Sequence, residues 1–70
     1  MADIEFTTNI ELCIVETADD DGTFELFQRG HEAYNVSILD ETDEHYDLQF
    51  EDGSVSVGVP KKAIKVFGHQ

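Results

Sequence analysis

Sixteen carboxylates, three histidines and one cysteine are the side chains of this 70-residue chain that could do acid–base, metal or nucleophilic chemistry. The carboxylates gather in two runs, Asp19-Asp20-Asp21 and Asp40-Glu41-Thr42-Asp43-Glu44. Calcium takes about six to eight oxygens from such residues, but at a defined spacing. The second run lacks the Asp-x-Asp-x-Asp-Gly order, and the first lacks a spaced terminal Glu, so both read as solvated turns rather than metal loops. His31, His45 and His69 form no pair at zinc-ligand spacing. Cys13 has acidic sequence neighbours and no cation close by, a setting that disfavours the thiolate. No glycine-rich phosphate loop and no Ser/His/Asp set occurs. The expectation is therefore a protein that is not an enzyme and needs no cofactor or metal.

Charge narrows the partners. Sixteen Asp and Glu against four Lys and Arg give a formal net charge of −12. Nucleic-acid binding draws its affinity from Lys and Arg displacing counterions on phosphates, so direct nucleic-acid binding is not expected. Anionic membranes are disfavoured for the same reason. A basic protein would be attracted, and its encounter accelerated. Lys61, Lys62 and Lys65 are the one basic cluster. They suit internal compensation and edge-strand protection, or contact with the acidic loops of a second copy in a homo-oligomer. The lone Cys13, the absence of a basic–apolar leader in Met-Ala-Asp-Ile-Glu and the absence of a long apolar run together suggest a cytoplasmic protein.

The elements that must position these groups are strands. His45 to Phe50 alternates Tyr46, Leu48 and Phe50 against His45, Asp47 and Gln49, the period of a half-buried strand. Glu51-Asp52-Gly53-Ser54 then signals a hairpin turn, and Val55, Val57 and Val59 resume the alternation up to Pro60. Ile4 to Glu16 reads as one strand, or two bent near Thr8-Asn9. Thr17 to Gly22 is an acidic loop. Thr23 to Gln28 is a strand with Phe24 and Leu26 on one face and Phe27 breaking the pattern, and Arg29 to Glu32 is a turn. Ala33 to Leu39 is a strand with Tyr34, Val36 and Ile38 inward. Asp40 to Glu44 is the second acidic loop. Lys61-Lys62-Ala63 suits one 3₁₀ turn, and Ile64 to Phe67 a last strand. A chain of this length makes one domain, from Asp3 to Gly68, with no sustained helical period.

This order resembles the Src-homology-3-like barrels, a group that includes the Tudor domains. The matching pieces are Asp19-Asp20-Asp21 in the long loop, Gly30 before the strand at Tyr34, and the Phe50-Glu51-Asp52-Gly53 hairpin. Gly58-Val59-Pro60, the Lys61-Lys62-Ala63 turn and Ile64-Lys65-Val66 follow. Tyr46 to Gly53 is especially similar to the middle of a Tudor-type barrel. The resemblance spans roughly Phe24 to Phe67 and implies an all-β chain forming a small five- to six-stranded barrel with one 3₁₀ turn. The ligand residues of the group do not transfer. Its proline-peptide binders use an exposed Trp and Tyr, whereas this chain has no Trp and carries Lys62-Ala63 where the Tyr belongs. Tyr34, Tyr46 and Phe50 fall on the apolar faces of their strands, which suits a core rather than a cage for a methylated cation.

These readings converge on a non-catalytic acidic interaction module that binds a basic protein surface or another subunit. Asp19, Asp20, Asp21, Asp40, Glu41, Asp43 and Glu44 are the candidate contacts, with His45 and Asp47 beside them. The alternatives are a nucleic-acid mimic that occupies a DNA-binding protein, and a small barrel with a structural role.

Overall fold

Alternating apolar residues produce seven strands in the computed structural model, which describes residues 1–69. They are β1 (Ala2–Phe6), β2 (Ile10–Ile14), β3 (Thr23–Phe27), β4 (Glu32–Glu41), β5 (His45–Gln49), β6 (Val55–Pro60) and β7 (Ile64–His69). The expected 3₁₀ turn occupies Lys61–Ala63. The protein is all-β, and no described helix is long and apolar enough to cross a membrane.

All pairings are antiparallel. A five-stranded sheet runs β6-β5-β4-β1-β7, and β2 and β3 form a separate two-stranded sheet. Among the described residues the larger sheet does not close into a barrel, since β6 and β7 remain its two edges. The segment Ile4 to Glu16 resolves into two strands. Thr7 leaves β1 by donating its N–H to the Ala63 carbonyl and its hydroxyl to the Lys62 carbonyl, both at 2.9 Å. This turns the next strand away from β1. The β2–β3 hairpin packs Leu12 and Ile14 into the shared core and joins β6 through reciprocal 2.9 Å bonds between Val15 and Val55.

The core lies between the two sheets. Ile4, Phe6, Leu12, Ile14, Val36, Leu48, Val59 and Ile64 are buried, so every strand except β3 contributes. Phe6 is fully covered and stacks on Phe27 with ring centroids 4.6 Å apart. Phe27 in turn stacks on Phe50 at 6.0 Å. The residue that seemed to break the β3 pattern is thus the one that faces the core. Phe24 and Leu26 lie on the opposite face.

Four of the five ladders carry one extra residue in one strand. Two residues of β4, Tyr34 and Asn35, face the single Asp3 of β1, and Phe67 is the extra residue of β7 beside the same strand. Leu39 is the extra residue of β4, and Val57-Gly58 face the single Asp47 of β5. Such bulges bend a strand, increase its twist and reverse the side to which a side chain points. Tyr34, Leu39, Val57 and Phe67 are all exposed in consequence.

This corrects three expectations. Ile38, beside the extra residue Leu39, was expected in the core with Val36 and is 37% exposed. Val57 was expected inward and Ser56 outward, yet Val57 is 72% exposed and Ser56 is buried opposite Leu48. Tyr34 was expected in the core and instead lies outside, meeting Phe67 edge-on at 5.9 Å and donating its hydroxyl to Glu32. Tyr46 and Phe50 do pack against the core.

Carboxylates fasten two of the bulges. Asp47 Oδ1 accepts the Gly58 N–H at 2.9 Å, and Asp3 Oδ1 accepts the Asn35 N–H at 3.1 Å. Gly58 and Asn35 both adopt positive φ, +74° and +58°, which glycine and asparagine tolerate best. The β5–β6 turn is the three-residue type, Glu51-Asp52-Gly53, with Gly53 at φ +91° as its sequence requires.

The bulge at Val57-Gly58 makes two opposite stability predictions, both measurable by urea denaturation. Ser56 Oγ is buried with no hydrogen-bond partner among the described residues, so Ser56→Ala should stabilise the fold by about 0.5–1 kcal/mol. Gly58→Ala should destabilise it by about 1–2 kcal/mol, because a Cβ is disfavoured at this φ.

Candidate interaction surface

The two acidic runs are held apart. His45 pairs with Pro60 at one end of the β5–β6 ladder, and Gln49 with Val55 at the other. Glu41, Asp43 and Glu44 lie at the first end. The Asp19–Asp21 loop follows Val15, which is bonded to Val55 at the second. No single patch unites the candidate contacts.

At the first end the charge is compensated. Asp40 and Glu41 belong to β4 rather than to a loop, which shortens the turn to Thr42–Glu44. Glu41 forms an ion pair with Lys61, and this bond, ahead of smaller effects, raises the lysine's pKa. Lys61 also sits 5.0 Å from the centre of the Tyr46 ring, and its backbone N–H donates to the Glu44 carbonyl. Asp40 Oδ1 accepts the Glu41 N–H. The exposed His45 lines a depression of about 480 Å³ with Asp43, Glu44, Pro60, Lys61 and Lys62. Asp47 is committed to Gly58. Here Glu41 is neutralised by Lys61, and Lys62 lies in the same depression as Asp43 and Glu44.

The second end differs. The hairpin from Ile10 to Phe27 carries Glu11, Glu16, Asp19, Asp20, Asp21 and Glu25, and no Lys, Arg or His. Asp20 shapes the loop. Its carboxylate accepts the Gly22 N–H at 2.9 Å and the Glu16 N–H at 3.1 Å, and these bonds lower its pKa from the usual 3.8. Asp19 and Asp21 are exposed beside it.

The apolar part of this surface was not legible in the sequence. In β3, Thr23 to Leu26 are all exposed, with Phe24 at 71% and Leu26 at 62%. The register places Phe24 opposite Cys13 and Leu26 opposite Glu11, on the face away from the core. Glu25 pairs with Leu12 on the other face. A depression of about 590 Å³ opens at the end of the strand, lined by Glu25, Leu26, Phe27, Gln28, Arg29 and His31. The signal that could have found this face is the run Phe24-Glu25-Leu26-Phe27. Apolar residues on both sides of an outer strand leave one set exposed.

Among the described residues no group of three or more His, Cys, Asp or Glu is placed to hold a metal ion. The arrangement offers hydrophobic contact beside six carboxylates, with Arg29 and His31 at the end of β3. No known protein family, curated protein or solved structure is significantly similar to this chain.

Asp20 and Asp52 give the surface loops a defined pH response. Asp52 accepts both the hydroxyl and the backbone N–H of Ser54, which lowers its pKa, the hydroxyl bond contributing most. Folded-state values below the unfolded ones mean stability that is present above the unfolded pKa near 3.8 and lost as pH falls through the lower folded values. Urea midpoints measured between about pH 5 and about pH 2 should fall for the native chain. The D20N/D52N double variant should show a shallower decline.

Proposed function

We propose that this chain is a non-catalytic acidic interaction module, built as an Src-homology-3-like barrel, that binds a basic protein through its β2–β3 hairpin. The carrying observation is the hairpin itself, where exposed Phe24 and Leu26 stand among six carboxylates and no Lys, Arg or His occurs between Ile10 and Phe27. Charge draws a basic partner in, and apolar contact holds it. The opposite end of the ladder, where lysines answer the acids, offers a partner less of both.

The path of the chain supports the barrel reading. After β1 comes a long acidic excursion, then the three-stranded meander β4-β5-β6, a 3₁₀ turn, and a closing strand that returns to β1. The hairpin lies within the excursion, where these barrels place a binding loop.

The test is capture of partners on the immobilised full chain, with elution along a salt gradient and identification by mass spectrometry. One or a few basic proteins should stay bound above about 0.3 M salt, where charges are screened within about 6 Å. The F24S/L26S variant should release them at lower salt. Release of many basic proteins together at low salt, by native chain and variant alike, would overturn the proposal. A retained partner that leaves when duplex DNA is added would replace it with nucleic-acid mimicry.

A further inference from the structure

The outer edges of the two sheets are not alike, and those of β2 and β6 meet through Val15 and Val55. The β6 edge is joined to Val15 at Val55, carries the Val57-Gly58 bulge and ends in Pro60. The β7 edge bears Lys65 and the extra residue Phe67. Both show devices that discourage another strand from pairing: coverage, bulges, proline and lysine. The β3 edge has none of these four, and its one charged side chain is Glu25. Its ladder with β2 is the one that runs without a register shift, from Ile10↔Phe27 to Ile14↔Thr23. It contains no Pro, Lys or Gly, and no backbone group from Thr23 to Phe27 bonds to a segment other than β2 among the described residues.

A straight outer strand of this kind presents every second N–H and C=O to an incoming chain. We infer that β3 is an acceptor edge for strand addition, and that its occupant is an extended cationic segment of a protein partner with alternating apolar and basic side chains. The side-chain period of two sets the pattern. Residues directly opposite Phe24 and Leu26 share their outer face and are apolar. The residue opposite Glu25 shares the other face and is Lys or Arg. Glu11, across from Leu26, and the Asp19–Asp21 loop beyond Ile14 extend the same negative field along the edge. Main-chain bonds supply affinity, and the alternating contacts supply selection.

Charge disfavours a second copy as the occupant. Two β3 strands paired antiparallel about their centres would bring Glu25 against Glu25, and each chain carries a net charge of −12. Like charges directly opposite destabilise a strand pair.

This inference rests on the interaction-module reading, and the experiment separates their failures. Three probes are titrated into the full-length protein: the capped peptide Lys-Val-Lys-Val-Lys-Val-Lys-Val, the same peptide with alternate backbone nitrogens methylated, and octa-lysine. Binding is read by calorimetry, and amide exchange is followed by NMR. The alternating peptide should bind, and the amides of Thr23 to Phe27 that point away from β2 should exchange at least about tenfold more slowly in the complex. Methylation removes several main-chain donors, so it should weaken binding by at least about tenfold. Equal binding of both peptides without protection in β3 overturns strand addition and leaves the acidic module standing. Failure of all three probes overturns both. Protection of β3 in the protein alone, with a dimer in sedimentation, overturns the cationic occupant in favour of a second copy.

Discussion

A five-stranded sheet that must enclose its own core is the constraint from which the rest of this structure follows. Eight buried side chains form that core, and a flat sheet cannot wrap them. The curvature comes from single extra residues in β4, β6 and β7, set beside β1 and β5, the two strands that flank the central β4. Asp3 and Asp47 stand at equivalent places, each flanked on both sides by a bulge and each accepting the N–H of a residue at positive φ. A half-buried carboxylate at each of these places thus answers a backbone donor that the ladder no longer satisfies.

Curvature has a cost on the outer surface. The extra residues present Tyr34, Leu39, Val57 and Phe67 to solvent, and Ser56 is turned inward without a partner. These exposed side chains flank β1 and β5 as products of bending, so exposure there has a structural cause. Phe24 and Leu26 differ. Their ladder is regular, and no bulge accounts for their exposure. The distinction separates apolar surface forced by the fold from apolar surface that bending does not explain, and it directs attention to the hairpin.

The acidity divides in a similar way. Asp20, Asp40, Asp47 and Asp52 bind backbone N–H groups, and Glu41 is paired with Lys61. Several residues that stood out in the sequence as partner contacts are therefore already committed within the chain. The charge without an internal partner is concentrated where Lys and Arg do not occur, before Arg29. A negative field around an apolar strand edge combines steering with adhesion, and neither alone would give a specific contact.

The sequence by itself determined which segments are strands, the β5–β6 turn and the 3₁₀ turn at Lys61–Ala63, because these rest on local properties. Alternation, glycine's access to positive φ and proline's missing donor act within a few residues. It also determined the sign of the charge. Which side of a strand meets the core was decided by tertiary structure. One extra residue reverses every later side chain, and a bulge exists only relative to the neighbouring strand. Val57, Ser56 and Tyr34 changed sides for that reason. The separation of the two acidic runs and the capture of Glu41 by Lys61 also depend on packing, because they join residues distant in sequence. The open edge of β3 belongs to the same class. An edge is defined by what does not pair with it, and only the assembled sheets show that.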